Sequence, residues 1–134
     1  MSKIDKGLNG NELIVKAICE LKNNFTDENL AVVLTEIRKR MLDKGQFVVG
    51  VDATENSVSN LSLKTVTFQG HKWFIAYTDF DEELKSGTSV MSGFLADIEQ
   101  ILDITLKSEE IEGLILNPHG NMLTINKAII EVIK

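Results

Sequence analysis

With 134 residues, 43% of them hydrophobic and 25% charged, the chain has the composition of one globular domain, which excludes general disorder. A net charge of −6 argues against nucleic acid, whose phosphates call for clustered Lys and Arg. The single cysteine, Cys19, rules out an internal disulfide, and no run approaches the roughly 20 apolar residues of a membrane span.

No apolar run follows Met1, so no signal peptide is visible and a cytoplasmic protein is expected. Leu13, Ile14, Ala17, Ile18, Leu21 and Phe25 recur at helical spacing and predict one buried face of a first helix. Thr26 is placed to cap a second helix, with Asp27 and Glu28 in its first turn. Leu30, Val33, Leu34, Ile37 and Met41 form the buried face of that helix, and Gly45 is expected to stop it.

Gln46 to Val51 is short, β-branched and aromatic, and predicts a buried strand. Leu61 to Phe68 and Lys72 to Thr78 are strand-like runs around Gln69-Gly70-His71, the pattern of a β-hairpin. If Trp73 and Phe74 are neighbours on a strand, they face opposite sides of the sheet. Asp79, with Glu82 three residues on, fits a capping-box start to a short helix. Residues 87 to 93 read as a loop, and Phe94 to Lys107 as a helix with Leu95, Ile98, Ile101, Leu102 and Thr105 on one face. Gly113 to Leu116 predicts a strand, Asn117-Pro-His-Gly120 a turn, and Met122 to Ile125 a brief returning strand. Asn126 is placed to cap a last helix through Ile130 and Ile133. The expected fold class is α+β, with a mixed, mostly antiparallel sheet and helices packed on it in one domain.

Two segments, Phe74-Ile-Ala-Tyr-Thr-Asp-Phe80 with the acidic Asp81-Glu-Glu83, and Ile111-Glu-Gly-Leu-Ile-Leu-Asn-Pro118, resemble the SseB N-terminal domain family. The likeness covers most of the chain and is strongest from Leu61 onward. It implies a small bacterial α/β domain and no particular activity. The strand from Phe47 to Val51 departs from that pattern by lacking a proline.

The chemistry that the residues could support is sparse. Asp79, Asp81 and Glu83 alternate like the opening of a calcium loop, but Leu84 and Val90 stand where that loop needs Gly and Glu. The stretch from Gly87 to Gly93 lacks the Lys of a phosphate loop, offering Phe94 instead. Cys19 lies in the second half of an amphipathic helix, where a thiol has no activating neighbour, and His71 and His119 lie in turns. No catalytic residue, metal site or cofactor is therefore expected. The leading expectation is a non-enzymatic interaction module with a protein partner, no nucleic acid and no membrane; a homo-oligomer stays open. Its partner surface would comprise Asp79, Asp81, Glu82, Glu83, Met91 and Phe94, an acidic turn beside apolar area. The alternative is a small-molecule or anion binder, or a weak enzyme, using Ser89, Ser92, Asn117 and His119.

Overall fold

A computed structural model describes residues 6–50, 64–84 and 93–134, without the side chains of Lys6, Glu83, Leu84 and Phe94. Helix α1 spans Glu12–Asn23 and buries Ile14, Ala17, Ile18 and Leu21. Leu13 and Phe25, expected on the same face, are exposed. The reason is local: Leu13 lies outside the Ile14–Ile18–Leu21 stripe, and the helix has ended at Asn23 before Phe25 is reached.

Helix α2 (Asp27–Leu42) starts as expected, the Thr26 Oγ1 accepting a hydrogen bond from the Asn29 amide at 3.0 Å. Val33, Ile37 and Met41 are its buried face. Its stop differs in detail from expectation. Lys44, not Gly45, takes the left-handed conformation (φ 63°). Gly45 is needed for closeness instead, since a Cβ there would lie 2.7 Å from the Arg40 carbonyl oxygen.

Strand β1 (Gln46–Gly50) buries Phe47, Val48 and Val49. It pairs antiparallel with β4 (Gly93–Asp97), Phe94 lying opposite Val49 and Ala96 opposite Phe47. The helix expected from Phe94 is thus shorter at its start: α4 runs from Ile98 to Lys107. Pairing with β1 takes the first residues of that segment, an interaction that its own periodicity does not record.

Strands β2 (Thr65–Phe68) and β3 (His71–Ala76) form the expected antiparallel hairpin, with Phe68 opposite His71. Residues 61–63 of that expectation lie outside the described residues. The two connecting residues, Gln69 (φ 54°) and Gly70 (φ 82°), both have positive φ, which identifies a type I′ turn. Strand β5 (Ile111–Leu116) runs parallel to β3, and β6 (Leu123–Asn126) returns antiparallel to β5. The four-stranded order is β2-β3-β5-β6, and a bridge between Val48 and Tyr77 ties the β1–β4 ladder to it. Helices α3 (Phe80–Leu84) and α5 (Lys127–Ile133) complete the fold. The Asn126 side chain caps α5 by accepting from the Ile129 amide at 2.9 Å. The fold is α+β with mostly antiparallel strands.

The main sheet buries both faces. Phe74, Ala76, Leu114, Leu116 and Ile125 join α1, α2, α4 and α5 in the larger core. Trp73, Ile75 and Ile115 form a second cluster on the other face, with Val66, Phe68 and Met122 against it. Trp73 and Phe74 are 7% and 8% exposed, so adjacent residues are both core, on opposite sides. Among the described residues, no helix is long and apolar enough to cross a membrane.

Candidate functional site

The carboxyl ends of the parallel strands β3 and β5 meet at Thr78 and Asn117, which are both fully buried. Crevices at such strand ends are where open α/β sheets commonly hold ligands. Here protein groups fill the place. The Asn117 Oδ1 accepts from the Thr78 amide at 2.9 Å, and its Nδ2 donates to Thr78 Oγ1 at 3.1 Å. The Thr78 hydroxyl in turn donates to Asp79 Oδ2 at 3.2 Å. From α1's start, Asn11 Nδ2 donates to the carbonyls of Thr78 (2.9 Å) and Gln46 (2.8 Å). Arg40 Nε donates to Asn11 Oδ1 at 3.0 Å. Buried polar groups are costly unless paired, and these pair with one another.

The acidic turn is split by this network. Asp79 Oδ1 accepts from the Glu82 amide at 2.8 Å, which is half of the expected capping box. Glu82 itself turns inward, and its Oε2 accepts from Asn121 Nδ2 at 3.0 Å. Asn121 Oδ1 accepts from Cys19 Sγ at 3.1 Å, which ties α3 through the 117–121 turn to α1.

These placements revise the expected partner surface. Glu82 is buried and belongs to the interior, because its carboxylate holds the 117–121 turn. Asp79 is half-buried and occupied as a helix cap, while Asp81 is exposed beside the partly exposed Phe80. Phe94 sits opposite Val49 in β4. Met91, Ser89 and Ser92 lie outside the described residues, as does the Glu83 side chain. For the alternative ligand site, Asn117 is committed to Thr78, whereas His119 is exposed in the turn. His71, also exposed, lies 3.6 Å from Glu112. Among the described residues, no three His, Cys, Asp or Glu side chains gather to hold a metal.

A second place was missed in the sequence. An open groove of about 310 Å3 lies between α1 and the start of β6. Ile18, Leu21, Lys22 and Phe25 line one wall, and Met122, Leu123 and Thr124 the other. Phe25 is 77% exposed at its rim. Lys22, the only ionisable side chain among the described residues of the lining, donates to the Gly120 carbonyl at 3.3 Å. The usable sequence signal was the position of Phe25, beyond Asn23-Asn24 and just before the Thr26 cap, where a helix boundary removes it from the buried stripe. No family model, no curated protein and no solved structure matches the chain.

Proposed function

We propose that the chain is a non-catalytic protein-interaction module whose contact surface is the groove between α1 and β6. The observation that carries this reading is Phe25, 77% exposed on the rim of an apolar groove. Single exposed apolar residues are ordinary on protein surfaces, and Leu42 and Val132 are examples. Phe25 has a concave apolar surface beside it, into which a partner residue fits. Aromatic anchors next to such pockets carry much of the energy of protein interfaces. The polar network at the β3 and β5 ends supports a non-catalytic reading, because its donors and acceptors are committed to each other. The SseB-like segments fit this proposal, since that resemblance implies a fold without a chemistry.

A small-molecule reading draws on the volume, which reaches the lower end of the roughly 300–1,000 Å3 range of ligand pockets. The exposed Phe25 favours the protein partner. The test places a photoreactive residue at the groove in living cells (Phe25→p-benzoylphenylalanine), with the same change at Leu42 as control. A discrete cross-linked adduct from position 25 and none from position 42 is expected. Equal labelling at both positions, or none at either, contradicts the proposal.

A further inference from the structure

The groove has one feature that identifies the shape of its occupant. Met122 packs against the Trp73 cluster on one face of the main sheet, while Leu123 packs against the larger core on the other. Both line the groove. It therefore lies at the sheet edge, where the two faces meet. Strand β6 ends the order β2-β3-β5-β6, and among the described residues no strand pairs with its outer side. Its sequence, Leu-Thr-Ile-Asn, carries neither the Lys nor the Pro that commonly shields a free edge.

Resting on the interaction-module reading, we infer that the partner is an extended polypeptide segment, apolar at alternate positions and bearing an acidic residue, which pairs with the outer edge of β6. Backbone hydrogen bonds to the edge supply affinity, and one apolar side chain enters the groove beside Phe25. The acidic residue follows from charge. Lys22 is the one ionisable group among the described residues of the lining, and it gives a local positive point on a protein of net charge −6. An ammonium group has three donors, so a bond to the Gly120 carbonyl leaves it able to meet a carboxylate.

The test uses the intact protein and three fluorescein-labelled hexapeptides, read by fluorescence anisotropy. The first alternates valine and threonine around one central glutamate. The second replaces the glutamate with lysine. The third repeats the first with alternate backbone amides N-methylated, which removes edge hydrogen bonds and leaves the side chains. The glutamate peptide should bind and shift the amide resonances of Leu123 to Asn126. The lysine peptide should bind about two- to five-fold more weakly at low salt, the scale of one exposed charge pair. The methylated peptide should lose roughly ten-fold or more, as expected for two backbone bonds. Phe25→Ser should weaken the glutamate peptide, and Lys22→Glu should reverse the charge preference while the melting temperature holds.

Equal binding of the methylated peptide overturns edge pairing but leaves the interaction module standing, since contact at the groove remains. Equal or stronger binding of the lysine peptide overturns the acidic partner. Absence of saturable binding up to about 1 mM, a free energy too small for recognition, overturns the inference. Octanoate occupying the groove where no peptide does overturns both this inference and the module reading. Concentration-dependent dimers that peptide cannot dissociate assign β6 to a second copy instead.

Discussion

Asn117 meets two requirements at one position. Its φ of 54° lies in the left-handed region, which Asn tolerates better than most residues, and its buried amide serves Thr78 through both Oδ1 and Nδ2. Two substitutions separate these roles. Asn117→Gly keeps the backbone conformation and loses the side-chain bonds, so it should cost about 1–3 kcal/mol. Asn117→Ala loses the bonds and strains the backbone, and should cost about 1–2 kcal/mol more than the glycine variant. Urea unfolding of the pair measures the difference, and equal stabilities would show that backbone strain contributes little. Phe25 offers the opposite case at the same scale. Because it is 77% exposed, Phe25→Ser should change stability by no more than about 0.5 kcal/mol. Ile18, fully buried in the same wall of the groove, should cost about 2–5 kcal/mol when truncated to Ala. A melt in which Phe25→Ser behaves like Ile18→Ala would make Phe25 part of the core and remove the basis for an interaction surface.

Elements were legible where their cause is local. The Thr26 and Asn126 caps, the α2 stripe and the β2–β3 hairpin all rest on residues within a few positions of one another. Strand β4 was not legible, because Phe94, Leu95 and Ile98 also satisfy helical spacing. What makes Gly93–Asp97 a strand is β1, more than 40 residues earlier, which is information the segment does not contain. The candidate site failed in the same way. Asp79 and Glu82 look alike in a capping-box pattern, but Asn121, which lies 39 residues on, draws Glu82 inward. The hairpin turn shows a residue that sequence preference would not select. Gln69 stands first in a type I′ turn, where Asn is the usual choice, and Gly70 stands second. Gln69→Asn should raise stability by about 0.5–1 kcal/mol, since Asn enters the left-handed region at lower cost. Gly70→Ala should lower it by about 1–2 kcal/mol, although nothing crowds the site, because the penalty is conformational. Thermal denaturation of the two variants checks both signs, and a stabilised Gly70→Ala would contradict the turn assignment.

The main sheet divides the molecule into two apolar compartments, and that division can be measured. Trp73 and Ile115 share the smaller cluster, where Phe68 meets Trp73 edge to face at 6.4 Å and its carbonyl accepts from the indole at 3.2 Å. Ile125 belongs to the larger core, with Leu114 opposite it across the β5–β6 ladder. Residues that share partners couple energetically, and residues without shared partners add. Mild changes keep the fold intact for the measurement: Trp73→Phe, together with Ile115→Val or Ile125→Val, each valine costing about 0.5–1.5 kcal/mol alone. The Trp73–Ile115 cycle should then give a coupling of about 0.5 kcal/mol or more. The Trp73–Ile125 cycle should be additive within about 0.3–0.5 kcal/mol. Met122 makes the result matter for the groove, because it is the groove residue that packs on the Trp73 side, while Leu123 packs on the other. If Trp73 couples to Ile125 as strongly as to Ile115, the sheet does not insulate its two faces. Met122 and Leu123, neighbours in one wall of the groove, would then belong to a single energetic unit rather than to two.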